Sequence, residues 1–465
     1  MTQSTRLSRR GLLAGLSSVG LLAACGTTTP FTAPKADVAD RFAGNSPARR
    51  AGANTWWAAF RDSQLDRLVN DGLARNLDVM SAVASIREAE ANARLVGASD
   101  LPQITASASG QRGDSTGAGT VSETSSGTLG VSWMIDVFGA NRAARRGARA
   151  DLDAAYLSAD VARLTVVSAI ASAYIDARYY QNMRDLTRQS LESRKQSLRL
   201  TEQQDVLGAS TRIDVLQAEQ LVTQAEAALP PLETGFDQSV NRLATLTDST
   251  SSAVAAALRK SGGTQPRARY SASVGVPADV IRARPDVRMS ERQFASAMAG
   301  VDQAQAAFYP QLTLSGSVTP LNISGGGSMK TWGFGPQLSV PLFSGGANSA
   351  RLSAAQARAE QARLAWRSSV LAAVEEVENA LAGYNRDSRL VAAQTKLVGN
   401  AEESVGLTRD SYEYGESEFF PVLDAERVLL SSRQELAGAL RQQSLNFIKL
   451  SAAAAGGIGL KAAAS

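Results

Sequence analysis

The chain has 465 residues, 48 Lys and Arg against 44 Asp and Glu, a net charge of +4, one cysteine and no histidine. A single cysteine excludes any intrachain disulfide, and the lack of histidine removes the commonest general base and metal ligand. The basic residues are spread along the helical segments rather than gathered on one face, so nucleic-acid binding has no support.

Arg6, Arg9 and Arg10 precede an apolar run from Gly11 to Ala24 that is too short to span a bilayer as a helix, so residues 1–24 read as an export signal. The signal closes on Leu22-Ala-Ala-Cys25, which resembles a bacterial lipobox and makes Cys25 the expected lipid attachment site. Ser8-Arg9-Arg10-Gly-Leu-Leu13 is also similar to a twin-arginine signal, with the general secretory route preferred. Residues 25–64 form the lipidated tether, rich in Thr and Pro from Thr27 to Pro34. Trp56, Trp57 and Phe60 at its end suit a packing plug ahead of a helix.

Helical periodicity runs from Leu65 to about Ser99 and stops before Pro102. The period then falls to two: Ile104, Ala106, Ala108 and Gly110 alternate with polar residues, and Leu129, Val131, Trp133, Ile135 and Val137 do so after a Gly, Ser and Thr-rich loop. A helix without internal proline follows from about Ala140 to Leu207. Roughly 65 residues at 1.5 Å per residue extend on the order of 100 Å, so an elongated helical rod or tube is expected. Gly208-Ala-Ser-Thr-Arg-Ile-Asp214 then punctuates a helical hairpin.

About 207 positions later the pattern returns. Asn76-Leu-Asp-Val79 meets Arg284-Pro-Asp-Val287, Leu101-Pro-Gln-Ile104 meets Tyr309-Pro-Gln-Leu312, and the turn at Gly208 meets Gly415-Glu-Ser-Glu-Phe-Phe-Pro421. Alternating runs recur at Leu312 to Val318 and Trp332 to Leu342, and a second long helix runs from about Ala347 to Tyr414. The chain is therefore mostly α with a small β part and internally duplicated, with repeats over 65–248 and 277–455, a linker over 249–276 and a tail over 456–465. The stretch from Leu229-Pro-Pro231 through Ser273 reads as irregular structure with a short helix.

Each alternating run has about the 9 to 11 residues that a tilted strand needs to cross a bilayer, with one apolar and one polar face. Four strands cannot close a membrane barrel, so several chains must share one. No stretch of the long helices reaches about 18 consecutive apolar residues, so they are expected to stand in water. Gly113 to Ser126 and Asn322 to Lys330 are the expected loops joining each strand pair outside the cell. An enzyme is not expected, since no Gly-rich phosphate loop is present and paired acids such as Glu375-Glu376 suit solvated helix faces; no cofactor or metal is implied.

Val274 to Arg288, Ala306-Ala-Phe-Tyr-Pro-Gln-Leu312, Trp56-Trp57, Asp136-Val-Phe-Gly139 and Pro341-Leu-Phe-Ser-Gly-Gly346 together resemble the outer-membrane efflux lipoproteins of the NodT group within the TolC-like family. The resemblance runs from the lipobox to about Leu450. It implies a homotrimer in the outer-membrane lipid, with a twelve-stranded β-barrel continuing into a twelve-helix periplasmic α-barrel. It also implies a periplasmic adaptor and an inner-membrane pump that supplies the energy for efflux of drugs or other toxic compounds, the channel itself conducting passively. The exit duct of a type I protein secretion system shares this architecture, and a lipid-anchored periplasmic coiled-coil scaffold is the reading from another class.

By the same resemblance the hairpin turns, with Gly208, Asp214, Gly415 and Pro421, lie deep in the periplasm as adaptor contacts. Asp424 matches an Asp that narrows the closed aperture of such channels, but the companion Asp of that pattern is Pro421 here, so the resemblance implies a ring that is either thinner or supplemented by Glu416 or Glu418. The residues alone also allow a capping role, since an acid near a helix start is favoured by the helix dipole. Gly26 follows Cys25 where an Asp would retain the lipoprotein at the inner membrane, so outer-membrane delivery is expected.

Overall fold

A computed structural model describes residues 31–34, 55–113, 121–260, 264–268, 277–324, 327–414, 416–418 and 420–454. The export signal, Cys25, Gly415 and the loop tips at Gly117 and Gly326 lie outside these residues. A 3₁₀ turn at Trp56–Phe60 leads into α1 (Ser63–Arg75) and α2 (Leu77–Ala98), then β1 (Gln103–Gly113), β2 (Ser122–Ile135), α3 (Ala140–Val206) and α4 (Arg212–Leu246). After α5 (Ser251–Lys260) and α6 (Pro277–Ala283) the order repeats as α7 (Pro285–Ala306), β3 (Gln311–Ile323), β4 (Gly327–Ser339), α8 (Ala347–Glu413) and α9 (Phe420–Ala454). Both α3 and α8 have 67 residues, and α4 and α9 each have 35, so the duplication holds to the residue in its helices.

The chain divides into two compact units that cut across the repeats. One holds Ser85–Tyr156 and Met289–Ser368, hence both hairpins and the helix segments flanking them; the other holds the rest of α3 and α8 with α4, α5 and α9.

In the second unit the core gathers Leu65, Val69, Val167, Ile170, Tyr174, Leu243 and Leu258, all fully buried. The spacing of three and four from Leu65 to Val69 on α1 and from Val167 through Ile170 to Tyr174 on α3 puts one apolar stripe of each helix inward. Trp56, Trp57 and Phe60 join this core, the Phe60 ring meeting Phe447 edge to face at 5.4 Å, so the aromatic cluster is a packing plug. One stretch of α3 is apolar enough by length and composition to cross a bilayer; part of it is this buried stripe.

The helix expected from Leu65 to Ser99 is broken at Asn76, whose backbone is extended (φ −61°, ψ 130°). Its Oδ1 accepts from the amides of Asp78 and Val79, capping α2, while its Nδ2 donates to Leu246 O at 3.0 Å. The second repeat reproduces this contact with different chemistry. Arg284, at the matching position, donates to Ala453 O at 3.1 Å, and its guanidinium also meets Asp286 at 2.7 Å and Glu376 at 2.6 Å.

The irregular stretch expected from Leu229 begins later, because Pro230 and Pro231 lie inside α4. Both are exposed, as are Glu226 and Ala227, whose carbonyls lose their donors, so water can take the place of the missing amides. Beyond α4, α5 is the short helix expected there.

The four strands form one antiparallel sheet in the order β1-β2-β3-β4. Each hairpin pairs as its alternation implies, and β2 pairs with β3 from Thr124↔Ile323 to Ile135↔Leu312. This ladder skips Gly127–Pro320 and Thr128–Thr319, beside a proline that has no N–H to donate. The strands run farther toward the hairpin loops than the alternation did: Gly113, Ser122 to Ser126, Asn322, Ile323 and Gly327 to Lys330, expected in loops, are paired. At the other end Val137, Val340 and Leu342 lie beyond the strands.

Candidate functional site

The first hairpin turn is built by Gly208, whose φ of +70° is a left-handed conformation that glycine adopts without penalty. Ala209 N donates to Gln204 O at 2.8 Å and Ser210 Oγ to Thr201 O at 3.0 Å, closing the end of α3. Thr211 and Asp214 then cap α4 reciprocally: Asp214 N donates to Thr211 Oγ1 at 3.3 Å, and Thr211 N to Asp214 Oδ2 at 2.8 Å. Hydrogen bonds from the Thr211 side chain and amide hold the Asp214 carboxyl below its ordinary range.

In the second turn Glu416 N donates to Ser411 O at 2.9 Å, and Glu416 and Glu418 are exposed. Pro421 is the second residue of α9 and needs no amide partner there. Asp424 lies just past the first helical turn and is paired with Arg427 at 2.6 Å. Its charge is thus met within its own helix.

A cavity of about 440 Å³ separates the two turns. Gly208, Thr211 and Asp214 line it from one side and Tyr412, Glu418 and Phe420 from the other. Asp424, Glu416 and Pro421 are not among its lining residues. The turns are rimmed by apolar side chains left in solvent: Leu207 is 81% exposed, Tyr414 83%, and the matching pair Ile213 and Phe420 65% and 63%. Large apolar groups concentrated at a turn suit contact with another protein better than contact with water.

Above the turns, contacts that the sequence had not singled out tie the first repeat to the second. Glu426 accepts from Arg409 at 2.8 Å and from Ser193 Oγ at 3.2 Å, and Gln204 donates to the Tyr412 hydroxyl. Glu426 ends the repeated Ala-Glu of both turn motifs; that repetition was the available clue, but its partner Ser193 lies 233 residues away in sequence. Among the described residues no three acidic, His or Cys side chains cluster closely enough to hold a metal ion.

Long helices in duplicate and a four-stranded antiparallel sheet with one apolar face are the elements of a TolC-like channel chain. The family model of outer membrane efflux proteins matches residues 68–249 and 276–456, and the chain belongs to that family. It is 39% identical over 398 residues to Nodulation protein T of Rhizobium leguminosarum bv. trifolii, covering 83% of this chain and 84% of that one. It is 30% identical over 450 residues to the outer membrane protein OprJ of Pseudomonas aeruginosa, covering 94% of each. Among solved structures, the open state of the MtrE outer membrane channel of Neisseria gonorrhoeae superposes with a TM-score of 0.81 at 26% identity, covering 93% of this chain and 98% of that one. The protein is an outer-membrane efflux protein, and its relatives are channels rather than enzymes.

Proposed function

We propose that the chain is the outer-membrane channel of a tripartite efflux pump, passively conducting small molecules from the periplasm to the outside. The observation that carries this reading is the sheet, four strands with an apolar and a hydroxyl face and unpaired edges at β1 and β4. Open edges are not tolerated in lipid, and three copies joined edge to edge remove all of them in a twelve-stranded barrel. In that trimer α3, α4, α8 and α9 supply the twelve helices of the periplasmic tunnel, and the rimmed turns offer an adaptor its contact. Cys25 carries the lipid anchor, and an inner-membrane pump provides the energy.

Cysteine pairs stepped along β1 and β4 test the assembly cleanly, because the native chain has only Cys25. Oxidation in the outer-membrane fraction is expected to give covalent trimers at matching registers. Covalent dimers alone, or no crosslinks at any register, would overturn the barrel.

A further inference from the structure

The strand registers sort every side chain of the sheet onto one of two faces. Packing supports the sorting: Ser109 and Ser126 hydroxyls meet at 2.8 Å and Thr128 and Thr319 at 3.0 Å on one face, while the Phe334 ring covers Gly316 on the other. On the first face, rows such as Thr105-Gly130-Ser317-Gly333 and Ser107-Thr128-Thr319-Thr331 hold hydroxyls and glycines, and none of the strand residues on that face is charged. On the second face the rows from Ile135-Leu312-Leu338 to Ala106-Leu129-Val318-Trp332 are apolar.

Toward the hairpin loops both faces change character at the same level. The apolar face passes through Lys330 to Asn322 and Ser328 and ends in the Arg112–Glu123 ion pair at 3.3 Å. On β3 and β4 the hydroxyl face instead acquires Leu321 beside Met329, with Ile323 in the next row, while β1 and β2 keep Ser109, Ser126 and Thr124 there; Met329 is 56% exposed. Charge on the outward face marks the end of the hydrocarbon contact. Apolar side chains on the water side at that same level have no lipid to face.

We infer that Leu321, Ile323 and Met329 form an apolar contact site for hydrophobic cargo at the outer mouth of an uncharged conduit lined mostly by hydroxyl groups and glycines. This rests on the hydroxyl face being the channel lining in the proposed trimer. Cargo leaving the hydroxyl rows exchanges water for apolar contact at the last rows, and the lack of fixed charge imposes no preference for anion or cation along the sheet.

Single-channel current through the purified trimer in planar bilayers tests this with two cations of equal charge, tetraphenylphosphonium and tetramethylammonium, added at the hairpin-loop side. Tetraphenylphosphonium is expected to block the wild type, and Leu321→Asn with Met329→Gln, which keep side-chain size, should raise its half-blocking concentration about tenfold. Leu321→Met should retain the block. Equal block by both cations in the wild type, or block unchanged in the polar double variant, would overturn the apolar site. Ser317→Cys and Leu321→Cys separate this failure from failure of the underlying reading. If a charged, water-soluble thiol reagent modifies neither in the bilayer, the hydroxyl face is not the lining; if it modifies Ser317→Cys alone, the lining stands and the apolar site falls.

Discussion

Arg284 shows how one side chain can hold several helices. Burial alone would lower its pKa, but Asp286 and Glu376 hold it above its ordinary value, so the buried guanidinium stays charged and joins the start of α7 to α8 and to the end of α9. Arg284→Met is expected to lower unfolding stability by about 3 kcal/mol, the low end for a broken buried pair, because Glu376 keeps 58% of its side chain in solvent. Arg284→Lys should not restore it, since an ammonium cannot bridge both Asp286 oxygens in the guanidinium geometry; denaturant melts of the two variants check this. Asp214 titrates in the opposite sense. Its depressed carboxyl pKa means that its capping contribution is complete above the unfolded carboxylate range and is lost as pH falls through the lower folded value. The protection of the Thr211 amide, measured against its intrinsic exchange rate at each pH, should therefore fall in acid in the wild type and be low at every pH in Asp214→Ala. The Arg-Pro-Asp motif was visible in the sequence, but its partner Glu376 and the carbonyl of Ala453 were not, because only folding brings those helices together.

At the scale of elements, period and repeat length were enough to read both long helices, both turns and four strands. The misreadings have local causes. Asn76 breaks its helix through a cap whose second partner, Leu246, lies 170 residues away. The strand ends were hidden because alternation weakens where the two faces change character, as in Ser122 to Gly127. Pro230 and Pro231 looked like a helix end yet sit on an exposed face of α4, where their cost is not hidden in the core. Replacing both with Ala should stabilise the fold by up to about 3 kcal/mol in a denaturant titration. Gly235 tests the opposite case, since a Cβ there would stand 2.5 Å from the Tyr180 ring. Gly235→Ala is expected to cost about 1 to 3 kcal/mol through overpacking, and an unchanged melting midpoint would contradict that close approach.

For the whole molecule, the sheet ties folding to assembly. A chain with two open edges and a largely apolar face has little reason to remain alone, so the unfolding midpoint of the purified protein should rise with its concentration. A midpoint independent of concentration would mean that the protomer is stable without its neighbours. The duplication also bears on counting. Val215 and Val422 are buried alike and Ile213 and Phe420 exposed alike, yet Asp214 faces Pro421 at the matching place. In a threefold complex a ligand that reads the shared apolar rim finds six near-equivalent seats, whereas one that reads the Asp214 carboxylate finds three, so saturation stoichiometry alone would reveal which chemistry a partner uses.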